Sequence, residues 1–180
     1  MLTYKDDLDE QMGYLNIRNC MNIQVKADVF DPENKNHNIN KSVMVFTLNR
    51  VDERFSLYIE NFQTFKGTYN EPNRNKGYGT FLLTSLINKL DILNLSSKII
   101  KISGTLDIRD LPYWKFSLPM YYSFSRKIIG PKVVCLLNNE PTEKDNLVST
   151  AYNINSQNIA MNFEFAAKDC FSENKKSPPK

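Results

Sequence analysis

Residues 74–95 constrain this chain more than any other stretch. Arg74-Asn75-Lys76-Gly77-Tyr78-Gly79 sets cations and glycines close together, and Thr80-Phe81-Leu82-Leu83 follows without a break. From there Tyr78, Leu82, Leu86 and Leu90 recur at every fourth residue, while Leu83, Ile87 and Leu93 widen the stripe. Thr84, Ser85, Asn88, Lys89 and Asp91 fall on the other side. The pattern predicts an amphipathic helix with one buried face. A turn before such a helix leaves its first N–H groups without intrahelical partners. Glycine lets a ligand approach that backbone closely, and the helix dipole favours an anion there. Arg74 and Lys76 add charge, Arg74 as a fork that matches phosphate, and Thr80 adds a hydroxyl.

The flanking segments alternate with period two. Met21 to Val29 reads as a strand with one buried face, and Asp31-Pro32 ends it. After the polar run 31–41, Val43 to Leu48 is a second strand, and Val51-Asp52-Glu53-Arg54 is a turn. Phe55 to Phe65 is a third strand, with Phe55, Leu57 and Ile59 on one face and Ser56, Tyr58 and Glu60 on the other. After Glu60 the alternation slips, which predicts a bulge or bend. Short connections make these strands an antiparallel meander.

The strand expected at Ser97 to Ser103 follows the helix, and a crossover of that length makes it parallel to the third strand. Asp110-Leu111-Pro112 starts a second helix, Tyr113 to Lys127, which Pro119 should kink or divide. Val133 to Leu137 is a strand, 138–157 a polar loop, and Asn158 to Phe165 the last strand. Residues 1–12 read as a short helix through Leu2, Tyr4, Leu8 and Met12. The expected fold class is α+β, a mixed and mostly antiparallel sheet with a central parallel β-α-β unit and flanking helices. One domain covers 1–170, and 171–180 is a flexible basic tail.

Composition removes several functions. A net charge of +3 is too small to argue for nucleic acid. No apolar run reaches the ~18–20 residues of a membrane helix. Asp6, Asp7, Asp9 and Glu10 have the wrong sign for a secretory leader, so a cytoplasmic protein is expected. Cys20, Cys135 and Cys170 have neither disulfide-framework nor zinc-ligand spacing, and no metal is expected. The lone histidine, His37, lies in a polar run without an elbow motif and reads as a surface residue.

The glycines must then be matched to a ligand. A Walker loop needs its lysine after the second glycine, and a dinucleotide fingerprint needs a third glycine where Leu82 stands. Arg74 to Gly79 instead resembles the acetyl-coenzyme A motif [Q/R]-x-x-G-x-[G/A] of the GNAT (Gcn5-related) N-acetyltransferases at every fixed position. The order of elements over about residues 14–166 resembles that family as well.

The resemblance implies a GNAT-like fold and an acetyltransferase activity. It implies that Arg74, Asn75, Lys76, Gly77, Tyr78, Gly79 and Thr80 hold the pyrophosphate of acetyl-coenzyme A. It implies that the strand near Glu60 to Phe65, with Phe62 beside the cofactor, bends away from the strand at Lys98 to Ser103 to admit pantetheine. An amine would attack the thioester directly while a base takes its proton and an acid protonates the departing thiolate. Met120-Tyr121-Tyr122-Ser123-Phe124-Ser125-Arg126 resembles the family's F-Y-x-x-L-G-F helix pattern, which makes Tyr121 the acid. Ser125 replaces the usual glycine, and a shift of one residue makes Tyr122 the alternative. Glu60 is the candidate base, with Asp107 and Asp110 behind it. Each also has a plainer reading: the tyrosines as sheet packing, Glu60 as a solvated strand carboxylate.

The partner implied is an amine acceptor, either a protein lysine or N-terminus or a small molecule. A homodimer is compatible with the family; membrane and nucleic acid are not expected. The family usually places two helices between its first two strands, and 31–41 is too short for them. Either residues 1–12 supply a substitute or the acceptor side is open. The competing functions are a catalytically weak GNAT-like protein that holds coenzyme A or a macromolecule, and a nucleotide-binding module.

Overall fold

Alternation becomes burial along residues 22–30, where Ile23, Val25, Ala27 and Val29 are buried and Gln24 and Lys26 are exposed. In the computed structural model, which describes residues 2–18, 21–32, 41–64, 77–107, 111–137, 139–143 and 160–166, this is the second strand. The order is β1 (Thr3–Asp6), α1 (Leu8–Arg18), β2 (Asn22–Phe30), β3 (Ser42–Val51), β4 (Arg54–Thr64) and α2 (Tyr78–Ile92). A 3₁₀ turn at Ser96–Lys98 leads to β5 (Ile99–Asp107), then α3 (Leu111–Ile128), β6 (Val134–Leu137), β7 (Glu140–Thr142) and β8 (Ala160–Ala166).

The strands form one sheet in the order β1-β2-β3-β4-β5-β8-β6-β7. Every neighbouring pair is antiparallel except β4 and β5, which are parallel and joined through α2. The expected fold class is the one observed. Leu8 and Leu15 of α1, the α2 stripe, and Leu118, Tyr121 and Phe124 of α3 share one buried cluster with the apolar sheet residues. All three helices therefore cover the same face of the sheet. The opposite face carries Gln24, Tyr58, Glu60, Thr105 and Asn162, all exposed. Leu82, Leu83, Leu86, Ile87 and Leu90 are the buried residues of α2, and each contributes roughly 1.5–3 kcal/mol by leaving water.

The N-terminus departs from expectation. Thr3–Asp6 is an edge strand on β2, and the helix begins only at Leu8. Asp6 Oδ1 accepts the Leu8 N–H at 2.9 Å, and Asp7 Oδ1 accepts the Lys26 N–H at 2.8 Å. Four strand residues are too few for period two to stand out against helical spacing, so pairing with β2 decides the state. The interval between the first two strands is thus 7–21, which holds one helix, α1. The interval at 31–41 joins the second and third strands instead.

Pro119 lies inside α3 without dividing it. A proline removes one backbone hydrogen bond, a loss that packing of Leu118, Tyr121 and Phe124 into the core can offset. The polar loop expected at 138–157 contains a short strand, β7, which pairs with β6 through a turn where Asn139 has φ 70°.

Candidate active site

The site is built around a change of partners along β4. From Phe55↔Ile99 to Ile59↔Gly104 the strand pairs with β5. Beyond Ile59 it stays only with β3, from Asn61↔Val45 to Thr64↔Ser42. β5 stays with β8, from Thr105↔Asn162 to Asp107↔Ala160. The two central strands part at this point.

A single extra residue accompanies the parting. Adjacent Val45 and Phe46 of β3 face Asn61 and Ile59 of β4, so Glu60 stands unpaired as a bulge. Burial follows it: Phe55, Leu57 and Ile59 are buried, Glu60 and Asn61 are both exposed, and Phe62 turns back to the helix side as a partly buried residue. The slip in the sequence is this bulge.

Gly104 marks the last closed rung. A Cβ there would lie 2.7 Å from Phe163 Cζ and 3.0 Å from the Ile59 carbonyl oxygen. A side chain there would have to displace the Phe163 ring and would press on the β4 backbone.

α2 begins above the open half. Gly77 is its N-cap at φ 76°, in the left-handed region that suits glycine. Phe81 N–H donates to the Gly77 carbonyl at 2.8 Å, which leaves the N–H groups of Tyr78, Gly79 and Thr80 without intrahelical acceptors. Among the described residues nothing lies within 4 Å of where a Cβ on Gly77 would stand. A Cβ on Gly79 would lie 3.3 Å from Phe62 Cζ, 3.4 Å from Thr64 Oγ1 and 3.7 Å from Met120 Sδ. The helix start thus rests on the bent end of β4 and on α3.

Tyr121 comes to the fork from α3. Its ring stacks on Phe163 with centroids 4.8 Å apart, and lies 5.8 Å from Phe62. It therefore lies on the helix side between Phe62 of β4 and Phe163 of β8, and is 4% exposed. Tyr122 points elsewhere, edge-on to Phe165 at 6.0 Å, beside a groove lined by Val133, Cys135 and Thr142. Burial pushes the Cys135 thiol in that region up to about 12.

Glu60 lies on the open face. Its carboxylate accepts from Gln24 Nε2 at 2.6 Å and from the Thr47 hydroxyl. Tyr121 and Glu60 thus lie on opposite faces of the sheet, and the Glu60 carboxylate is held toward β3 and β2. Asp107 ends β5 beyond the fork. Arg74, Asn75, Lys76, Asp110 and His37 lie outside the described residues. The periodicity of β4 could not reveal Tyr58 as a neighbour of Thr105, since that contact joins residues 47 apart.

The sheet order, the single parallel pair that parts beside a bulge, and the glycine-led helix start agree with the fold expected from the resemblance to the GNAT acetyltransferases. No protein-family model and no curated protein matches the sequence. Among solved structures the chain is similar to the NatC complex bound to Gag peptide and CoA, at 12% identity and TM-score 0.46, covering 91% of this chain and 96% of that one. It is similar to Arabidopsis thaliana NAA60 in complex with acetyl-CoA, at 11% identity and TM-score 0.48, covering 92% and 97%. It is similar to mutant forms of the spermidine/spermine N-acetyltransferase SpeG from Vibrio cholerae, at 13% identity and TM-score 0.42, covering 98% and 100%. Among the described residues no cluster of metal-ligating side chains occurs, and no helix is long and apolar enough to cross a membrane.

Proposed function

We propose that this chain is an acyl-coenzyme A dependent N-acyltransferase that transfers acetyl to a primary amine. One observation carries the reading: β4 parts from β5 beside a helix start whose first N–H groups lack intrahelical acceptors, and the Tyr121 ring lies against Phe62 at the bent end of β4. Gly77 has no described residue within 4 Å of where a Cβ would stand and Gly79 lies close to Phe62, which fits a cofactor that approaches this backbone closely.

Arg74, Asn75, Lys76 and the backbone from Gly77 to Thr80 would hold the pyrophosphate. Phe62 would form one wall of the narrow part of the cleft. Coenzyme A supplies the thioester that makes the acyl group transferable. Tyr121, whose ring lies between Phe62 of β4 and Phe163 of β8 on the helix side, would return a proton to the leaving sulfur. Glu60 would take the proton from the amine on the open side, with its carboxylate held by Gln24 and Thr47. The exposed edge of β4 beyond Ile59 offers backbone groups to the acyl carbonyl.

A binding protein on the same fold is the second reading. The burial of Tyr121 against Phe163 favours it, since that ring also has a purely structural use. Two measurements separate the readings. Acetyl-coenzyme A should raise the melting temperature, by an amount equivalent to about 2.7 kcal/mol at a hundredfold excess over Kd. Free thiol should then appear only when an amine is added. A thermal shift without acceptor-dependent thiol leaves the binding protein; stabilisation by ATP alone refutes both.

A further inference from the structure

On the open face a hydrogen-bonded chain crosses three strands beside the point where β4 and β5 part. Thr105 and Asn162 form the first rung beyond Gly104, the last β5 residue that faces β4. The Thr105 hydroxyl donates to Asn162 Oδ1 at 2.8 Å, and the Tyr58 hydroxyl lies 3.2 Å from Thr105 Oγ1. Thr105 has one hydroxyl proton, and Asn162 Oδ1 can only accept, so Tyr58 donates to Thr105. The chain therefore runs one way and its ends differ. The Tyr58 oxygen keeps its lone pairs, and the Asn162 amide keeps both N–H groups. Among the described residues neither end has a further partner.

These residues line a groove of about 320 Å³, to which Ser103 and Asn139 add a hydroxyl and a second amide. Tyr58 is 38% exposed and Asn162 is also exposed. Glu164 is the one charged side chain among the described lining residues, and Lys101 pairs with its carboxylate at 2.9 Å. The groove thus offers hydrogen bonds without a free charge. Taking an ion out of water is costly unless an opposite charge meets it. An uncharged amide exchanges its water contacts for one acceptor and one donor, and those are what the two ends of the chain supply.

We propose that this groove is a carboxamide subsite for the acceptor, in which Asn162 donates to the carbonyl of an amide near the reacting amine and Tyr58 accepts from its N–H. The proposal rests on the N-acyltransferase reading, under which an amine that reaches the parting from the open face leaves the rest of the acceptor over the groove. Acceptors with a neutral amide there are then preferred to those with a second ammonium.

The test uses three amines: β-alaninamide, its N,N-dimethyl amide, which has no amide N–H, and 1,3-diaminopropane, which has an ammonium in place of the amide. The wild type should prefer β-alaninamide in kcat/KM by about fivefold over the dimethyl amide and about tenfold over the diamine. Tyr58→Phe should raise KM for β-alaninamide until it is level with the dimethyl amide, since only the N–H has lost its partner. Asn162→Asp still accepts from Thr105 but replaces the donor with a carboxylate. It should reverse the preference in favour of the diamine, while coenzyme A affinity, followed by calorimetry, stays as in the wild type. A wild-type preference for the diamine, or a ratio between the two amides that Tyr58→Phe leaves unmoved, overturns the proposal alone. So does thiol release with other amines but with none of these three. A fall in coenzyme A affinity in Asn162→Asp overturns it too, by assigning the groove to the cofactor side. Absence of thiol release from the wild type with every amine overturns the N-acyltransferase reading, and this proposal with it.

Discussion

The two halves of β4 have the same strand partner on one side and different surroundings on the other. From Phe55 to Ile59 the strand is closed against β5, its odd residues are buried, and the rungs are so tight that a Cβ on Gly104 would have to displace the Phe163 ring. From Glu60 to Thr64 it still pairs with β3, yet β5 has left and the side chains have changed phase. One unpaired residue, Glu60, separates a structural half from an open half. A bulge bends and twists a strand without breaking its other ladder, so the sheet stays continuous through β3 while a cleft opens beside it.

The largest effect should come from the open half. Tyr121→Phe removes the hydroxyl but keeps the ring on Phe163, and turnover should fall about 10²–10⁴-fold, the range of a lost general acid, with coenzyme A affinity unchanged. Steady-state and binding measurements on one preparation decide this, and undiminished turnover removes Tyr121 from the chemistry. Next comes Gly77→Asp, which projects a carboxylate into the space before the helix start and strains a φ of 76°. Coenzyme A affinity should drop by about 100-fold, or 2.7 kcal/mol, with β-sheet circular dichroism intact.

The closed half should respond in stability rather than binding. Gly104→Ala sets a methyl 2.7 Å from Phe163 Cζ, and should lower unfolding free energy by about 1–3 kcal/mol in urea titration. A neutral result would mean that β4 and β5 are less tightly closed than this. Deleting Glu60 tests the boundary itself. It removes the bulge but keeps Phe62 on the helix side, so the strand should remain folded with a narrower fork and about tenfold weaker coenzyme A binding. Unchanged binding would detach the bulge from the cleft.

The smallest effect lies away from the fork. Burial raises the Cys135 thiol to about 12 from its ordinary 9.0. The folded state keeps the thiol protonated where the unfolded chain ionises, so this contribution is fully present below pH 9.0 and is lost as pH rises toward 12. Stability should therefore decline across that window, and Cys135→Ala should flatten the decline.

Much of this architecture was legible along the chain. The meander, α2 and its buried stripe, the parallel crossover and the slip after Glu60 all follow from local periodicity, because each face of each element meets a different solvent. The N-terminal strand was not legible, since Thr3–Asp6 spans four residues and takes its state from β2. Nor was the length of α3 beyond Pro119, where packing outweighs the missing hydrogen bond.

The sequence by itself determined the anion-ready turn at Gly77 to Thr80 and the place where β4 must bend, because both depend on neighbours within a few residues. Only the tertiary structure decided which tyrosine packs against Phe62 at the bend of β4, that Glu60 and Tyr121 lie on opposite faces of the sheet, and that Tyr58, Thr105 and Asn162 form one chain. Those contacts join residues 47 and 57 apart. Period two tells a side chain which face it occupies, but the register between distant strands tells it whom it meets there.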